Sequence, residues 1–312
     1  MPKIASSATV DPKAELADNV VVGPGCYIGP EVRIGSGTRL IANVTIMGNV
    51  QIGRDNVFYP SAVIGAPPQD LKYRGSSTQL LIGDGNVFRE GVTAHTGTEV
   101  AGGMTRIGNH TQFQVGTHLA HDVVVGDHCI LSNQVQVAGH VHIESRVTVS
   151  GLVGVQQFVT LGQYCFVTGM ARCSMDAPPY MIFGYEGTIQ GVNVKGLGRW
   201  GFNEPAIQQL RDLYKKLFPR KSQIAGNYSL RALYRLWPSR RDDRNGNSSL
   251  AKRINDVESH TSLDEHGRYL IDFLKRSIHS GVYGRFLESQ RRDGSAERPK
   301  FYVGGNGGGN GQ

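Results

Sequence analysis

The sequence has few aromatic residues, no long hydrophobic run and only four cysteines. Phe, Trp and Tyr make up 8% of the 312 residues, whereas 41 residues are glycine. Because glycine weakens the interior of a helix, this composition argues against a helical bundle and favours short strands joined by turns. No run approaches the ~18 apolar residues that a transmembrane helix needs, so we expect no transmembrane segment.

Secretion and zinc binding are also disfavoured. The N-terminal stretch MPKIASSATV lacks the apolar centre of a signal peptide, so we expect a cytoplasmic protein. The cysteines form no CxxC pair, which argues against a zinc site. All four fall on inward-facing positions of the repeat described below, and we expect small buried hydrophobic residues there: Cys26, Cys129, Cys165 and Cys173.

The net charge of +7 is unevenly distributed. Residues 195–300 contain 22 Lys and Arg against 12 Asp and Glu, or +10, and the rest of the chain contains 11 against 14, or −3. A basic C-terminal half favours an acidic partner, although a solvated helix surface would have the same composition. We expect no nucleic-acid partner, because no nucleic-acid motif and no alternation of aromatic and basic residues is present.

Hydrophobic residues recur at every sixth position through most of the first 180 residues. The series runs through Ile4, Val10, Leu16, Val22, Ile28, Ile34, Leu40, Ile46, Ile52, Phe58 and Ile64, resumes at Ile82, and continues from Ile107 to Cys173. A period of six fits neither an α-helix nor a simple strand. It predicts a three-sided solenoid in which three hexads make one coil and the coils stack about 4.8 Å apart. The period breaks after Gly65 and at 99–106, and Pro178 and Pro179 end it.

The C-terminal part has helical patterns. Asn203, Glu204 and Pro205 predict a helix start. Apolar residues at helical spacing then predict three helices, around 207–217, 230–236 and 270–274. We predict a solenoid domain over 1–180, a connecting segment and helical domain over 181–303 with a loop at 240–249, and a disordered Gly- and Asn-rich tail over 304–312.

Seven of the ten histidines lie between His95 and His142, none of them on an inward-facing position. With three hexads per coil, His121, Gly139 and Gln157 stack in one column, and His140 lies above Asp122. Imidazole is a suitable base near neutral pH, a carboxylate can orient it, and a backbone N–H beside glycine can stabilise an oxyanion. This set suits acyl transfer. Solvated surface histidines, or a metal site made of His118, His121 and His140, are the alternatives.

Several motifs resemble those of one family of hexapeptide-repeat transferases. These motifs are Ile28-Gly29-Pro30, Ile52-Gly53-Arg54-Asp55-Asn56, Gln69-Asp70-Leu71-Lys72-Tyr73, His118-Leu119-Ala120-His121-Asp122, Ala138-Gly139-His140-Val141, Gln157-Phe158, Pro178-Pro179-Tyr180 and Gly191-Val192-Asn193. The chain resembles the UDP-N-acetylglucosamine O-acyltransferases that use acyl carrier protein and catalyse the first step of lipid A synthesis. The resemblance spans about residues 4–220. It implies a left-handed parallel β-helix with a C-terminal helical domain, assembled as a homotrimer with active sites between subunits.

The resemblance also implies roles for individual residues and requires no cofactor or metal. His121 would be the general base, Asp122 its orienting partner and Gly139 the oxyanion donor. The residues that would contact the sugar nucleotide or the acyl donor are Asp70, Lys72, His118, His140 and Gln157. Asn193 and Arg199 would hold the uridine diphosphate of a neighbouring subunit. Gly169 would leave the acyl groove open for a longer chain. Acyl carrier protein is acidic and could be attracted by Lys215, Lys216, Arg220 and Lys221.

Three positions depart from the family pattern: Gln156 replaces a histidine, Lys195 replaces an acidic residue, and Trp200 replaces an arginine. They leave nucleotide affinity and acceptor preference open. The alternatives are an N-acyltransferase acting on a UDP-3-amino sugar, a non-catalytic β-helix scaffold, and a histidine-bridged metal enzyme resembling β-helix carbonic anhydrases.

Overall fold

The computed structural model describes residues 1–218, 250–279 and 284–290. The prism predicted from the six-residue period is present, and each coil contributes one short strand to each of three sheets. The first sheet contains β1 (Lys3–Ile4), β4 (Val21–Val22), β7 (Arg39–Leu40), β10 (Val57–Phe58), β13 (Val87–Phe88), β16 (Gln112–Phe113), β19 (Ile130–Leu131), β22 (Thr148–Val149), β25 (Phe166–Val167), β27 (Met181–Phe183) and β28 (Ile189–Val192).

The other two sheets are built in the same way and form the remaining walls. The second sheet contains β2 (Thr9–Val10), β5 (Tyr27–Ile28), β8 (Thr45–Ile46), β11 (Val63–Ala66), β14 (Thr93–His95), β17 (His118–Leu119), β20 (Gln136–Val137), β23 (Gly154–Val155) and β26 (Arg172–Cys173). The third contains β3 (Glu15–Leu16), β6 (Val32–Ile34), β9 (Asn49–Ile52), β12 (Gln79–Ile82), β15 (Met104–Ile107), β18 (Val124–Val125), β21 (His142–Ile143) and β24 (Thr160–Leu161).

The strand register places the repeat residues inside the prism. Leu119 pairs with Val137, which pairs with Val155, so residues eighteen apart lie above one another. Most of these aliphatic side chains are fully buried, and the four cysteines are buried and unpaired as predicted. Phe58, Phe88 and Phe113 form a stacked column within the core, with ring centroids 4.6 and 4.8 Å apart.

The two breaks in the period are loops that leave the prism. The first connects β11 to β12 over residues 67–78, and the second connects β14 to β15 and contains a 3-10 helix at Glu99–Ala101. The loops contact each other, because the N–H of Arg74 donates to a carboxylate oxygen of Glu99 at 2.7 Å. Together they cover the corner between the second and third sheets.

The first sheet continues past Pro178 and Pro179. β27 pairs in parallel with β25, and β28 then pairs antiparallel with β27. The sheet therefore extends beyond residue 180, two strands past the point where the sequence period ends.

Five helices lie in the described part of the C-terminal region: α1 (Val194–Arg199), α2 (Glu204–Leu217), α3 (Leu250–His260), α4 (Glu265–His279) and α5 (Phe286–Ser289). α2 begins where the sequence predicts, because the side chain of Asn203 accepts a hydrogen bond from the N–H of Ala206 at 2.9 Å. The helix predicted around 230–236, the loop at 240–249 and the tail at 304–312 lie outside the described residues. None of the helices described is long and apolar enough to cross a membrane.

Candidate active site

The predicted column of residues is present at the corner between the second and third sheets. The pairing of β17 with β20 and of β20 with β23 brings His121, Gly139 and Gln157 to equivalent positions on consecutive coils. The imidazole of His121 lies against the backbone of Gly139, since a Cβ built on Gly139 would lie 2.7 Å from Nε2. Any side chain at position 139 would therefore displace the ring.

Asp122 fixes the orientation of His121. Nδ1 of His121 lies 2.8 Å from a carboxylate oxygen of Asp122, and both side chains are almost fully buried. The carboxylate also accepts hydrogen bonds from the N–H of Thr98 at 2.7 Å and from its hydroxyl at 2.6 Å. The N–H of Asp122 donates to the hydroxyl of Thr105 at 2.8 Å. With Nδ1–H donated to Asp122, a neutral His121 has an unprotonated Nε2, as a general base requires.

His140 is the second imidazole at this corner. Its Nδ1 lies 3.6 Å from the carboxylate of Asp122, and its ring meets that of His121 edge-on with centroids 5.0 Å apart. The ring of His140 also stacks on that of Phe158, with centroids 4.5 Å apart. Asp122, His140 and Phe158 share one corner and all have φ near +60°, so the turn itself determines their direction.

Two further histidines, His95 and His118, lie near His121 and His140. The hydroxyl of Thr93 is 2.7 Å from Nδ1 of His118, and the ring of His118 meets that of His95 edge-on at 4.9 Å. Burial, followed by the charges of His118 and His121, lowers the pKa of His95 to about 4, and burial followed by His121 lowers that of His118. Both rings are therefore predominantly neutral at pH 7, which limits positive charge beside His121.

Two clefts meet at this corner, which we call the third-sheet cleft and the second-sheet cleft. The third-sheet cleft has a volume of about 720 Å³, and its lining includes Asp70, Lys72, Arg106, Asp122, His140, His142, Gln157 and Phe158. The second-sheet cleft has a volume of about 590 Å³, and its lining includes Gln69, His118, His121, Gly139, Gly154, Gln156, Gln157 and Arg172. Most of the predicted site residues thus line one continuous region around His121.

The loop at 67–78 brings Asp70 over the corner. Three potential metal-ligating atoms lie within 4.8 Å of one another: a carboxylate oxygen of Asp70 and one ring nitrogen each of His121 and His140. These residues could therefore hold a cation. In the described part of the chain, no group that could hold a metal includes His118, so the metal trio weighed from sequence is not assembled.

Asn193, Arg199 and Gly169 do not line either cleft. The side chain of Asn193 caps α1: it accepts from the N–H of Gly196 at 3.2 Å and donates to the carbonyl of Tyr164 at 2.9 Å. Gly169 lies at the corner between the first and second sheets, across the second sheet from His121.

The three departures from the family pattern have different surroundings. Gln156 lines the second-sheet cleft, whereas Lys195 is exposed on α1. The ring of Trp200 lies 5.5 Å from that of His128, and the guanidinium of Arg146 lies over it at 5.1 Å. The indole therefore packs on a different corner of the prism from His121.

Neither the six-residue period nor the family motifs predicted the contributions of His95, Thr98 and Thr105 to the site. Thr98 lies in the second loop, and the six-residue period gives no information about where a loop outside the repeat will fold. His95 is the last residue of β14. Its side chain is buried, although it lies outside the prism core. Its place in the dense histidine segment was the one signal that could have identified it.

Comparison with known proteins places the chain among sugar-nucleotide acyltransferases. The family model for the second domain of UDP-N-acetylglucosamine O-acyltransferase matches residues 176–282. An acyl-(acyl-carrier-protein)–UDP-N-acetylglucosamine O-acyltransferase of an Anaeromyxobacter species is 36% identical over 231 residues, which are 74% of this chain and 80% of that protein.

Solved structures agree with this assignment. The UDP-N-acetylglucosamine acyltransferase of Bacteroides fragilis is 32% identical with a TM-score of 0.75, covering 87% of this chain and 96% of that one. The Arabidopsis UDP-N-acetylglucosamine acyltransferase is 27% identical with a TM-score of 0.66, covering 95% and 98%. The fold is a left-handed parallel β-helix with a C-terminal helical domain, and the chain belongs to the family of UDP-N-acetylglucosamine O-acyltransferases that use acyl carrier protein.

Proposed function

We propose that this enzyme transfers a 3-hydroxyacyl group from acyl carrier protein to the 3-hydroxyl of UDP-N-acetylglucosamine, the first step of lipid A biosynthesis. The observation that supports this most strongly is the buried His121–Asp122 pair at 2.8 Å, at the point where the two clefts meet. Family membership supports the substrates. We infer that the reaction is a direct displacement that requires no cofactor.

The chemistry follows from the orientation of His121. Nε2 accepts the proton of the sugar hydroxyl as the oxygen attacks the thioester carbonyl, and Asp122 stabilises the imidazolium that forms. When the carbon–sulfur bond breaks, the imidazolium returns the proton to the departing thiolate. The enzyme is thereby restored, and the products are the ester and the thiol of acyl carrier protein.

Gly139 is proposed to stabilise the oxyanion. Within the described residues, its N–H donates to no backbone or side-chain acceptor. Because this N–H is fixed by the backbone of the prism and has no partner within the described residues, it can donate a hydrogen bond to the carbonyl oxygen as negative charge develops there. The absence of a side chain at 139 also leaves room for His121 beside it.

The linings of the clefts suggest which substrate each one takes. The third-sheet cleft contains Asp70, Lys72, Arg106 and His140, whose charges and hydrogen-bonding groups suit a sugar and its phosphates. The second-sheet cleft contains Val137, Ala138 and Val155 and lies on the wall that leads to Gly169. We assign the acceptor to the third-sheet cleft and the acyl chain to the second-sheet cleft.

The assembly is proposed to be a cytoplasmic homotrimer. Asn193 and Arg199 lie away from the His121 corner of their own chain, as expected if they bind the uridine diphosphate of a neighbouring subunit. Acyl carrier protein would approach the basic surface of α2, where Lys215 and Lys216 are exposed.

The test is to incubate the purified protein with 3-hydroxyacyl carrier proteins of several chain lengths and with UDP-N-acetylglucosamine, and to weigh the product. A product heavier than the acceptor by one 3-hydroxyacyl group, and cleaved by mild base as an ester, supports the proposal. A UDP-3-amino sugar assayed in parallel distinguishes O- from N-acylation. Preferential acylation of the amine, or no transfer to either acceptor, would contradict it.

A further inference from the structure

A short segment beyond the family-model match forms part of the site. The match ends at residue 282, whereas residues 284–290 are described and contain α5. They pack against the last coils of the prism, and two of their side chains, Leu287 and Gln290, line the third-sheet cleft. The proposed function does not account for this segment.

Asp176 connects this segment to the prism through hydrogen bonds. Its side chain is fully buried, and it accepts hydrogen bonds from the N–H of Thr160 at 2.8 Å and from the hydroxyl of Ser277 at 2.8 Å. It also accepts one from the N–H of Phe286 at 3.0 Å, and its own N–H donates to the carbonyl of Gly284 at 2.8 Å. One buried carboxylate thus joins the prism, α4 and the start of α5.

Arg285 makes a second connection between the segment and the prism. Its side chain is 8% exposed, Nη1 donates to the carbonyl of Ser174 at 2.9 Å, and Nε donates to Glu288 at 2.8 Å. Because buried charges are retained where they are paired and hydrogen-bonded, this arrangement fixes the position of α5 on the prism. The backbone that carries Leu287 and Gln290 is therefore held against the prism.

We propose that Leu287 and Gln290 contact the acceptor sugar nucleotide and help to determine its affinity. This inference rests on the proposed function, which assigns the acceptor to the third-sheet cleft. Leu287 lines the third-sheet cleft together with Phe158 and Val124. Its apolar side chain is suited to contact the face of a sugar ring. The amide of Gln290 supplies a donor and an acceptor suited to hydroxyl or acetamido groups.

Steady-state kinetics and calorimetry on the full chain test the proposal with UDP-N-acetylglucosamine as the probe. For Leu287→Ala and Gln290→Ala we expect the KM and the Kd for this acceptor to rise about three- to tenfold, as the loss of one hydrogen bond or one apolar contact predicts. The kcat and the KM for the acyl donor should change less than twofold. Leu287→Trp, whose larger side chain occupies part of the cleft, should weaken acceptor binding further.

Asp272→Asn is the control, because Asp272 is an exposed residue of α4, the helix that packs on α5, and its side chain lines neither cleft. Acceptor Kd values within twofold of wild type for all three cleft variants would overturn the inference while leaving the proposed function intact. A wild-type chain that neither binds this acceptor nor transfers an acyl group would contradict both. Because Gln290 is exposed, its variant is expected to fold even if changes at Leu287 destabilise α5.

Discussion

At the scale of single residues, the catalytic proposal depends on the contact between the His121 ring and the backbone of Gly139. For Gly139→Ala we expect kcat to fall at least about 100-fold, because the added methyl displaces the imidazole and misplacements near 1 Å have costs of this size. Initial rates, with melting temperature to monitor folding, measure the effect. Gly29→Ala is the control, since its Cβ would meet neighbours no closer than 3.5 Å. Equal activity of the two variants would contradict the proposed geometry.

His95 makes the free energy of unfolding depend on pH. Its pKa is about 4 in the fold against 6.5 in an unfolded chain, so its contribution is complete above pH 6.5 and is lost as the pH falls toward 4. The full loss is about 3 kcal/mol. Urea unfolding at pH 7 and pH 4.5 should therefore show a smaller decrease in stability for His95→Gln than for wild type. The same decrease in both proteins would rule out His95 as a source of the pH dependence.

At the scale of elements, the prism depends on side chains stacked from coil to coil. Phe88 is fully buried between Phe58 and Phe113, so Phe88→Ala leaves a cavity with aromatic walls. We expect the free energy of unfolding to fall by about 3–5 kcal/mol, and by much less for Phe88→Leu, which retains most of the volume. Denaturant titration measures both. A loss below 1 kcal/mol for the alanine variant would show that the coils are not coupled through this column.

The elements differ in how far the sequence determines them. A six-residue period with small inward residues permits one register, so the sheets and the His121–Gly139–Gln157 column could be predicted from spacing alone. The contacts of Asp122 with Thr98, and the position of Asp70, could not, since both depend on how two non-repeating loops fold over the corner. α5 was also missed, because it contains four residues, too few for a helical period.

At the scale of the whole molecule, charge is expected to control the encounter with acyl carrier protein. The net charge is +7, and residues 195–300 carry +10. Raising the salt concentration should therefore increase the KM for the acyl carrier protein more than the KM for UDP-N-acetylglucosamine, which is held at short range. Rates measured from low to high salt, with each substrate varied in turn, give the comparison. A donor KM that does not depend on salt would argue against docking by the basic surface.

The central claim is that His121 removes the proton of the acceptor hydroxyl. The most direct measurement is the single-turnover rate of acyl transfer by His121→Ala beside wild type and His128→Ala, a histidine on another corner of the prism. General-base catalysis contributes about 10²–10⁴-fold, so we expect a loss of that size for His121→Ala and none for His128→Ala. Transfer by His121→Ala at the wild-type rate would contradict the account.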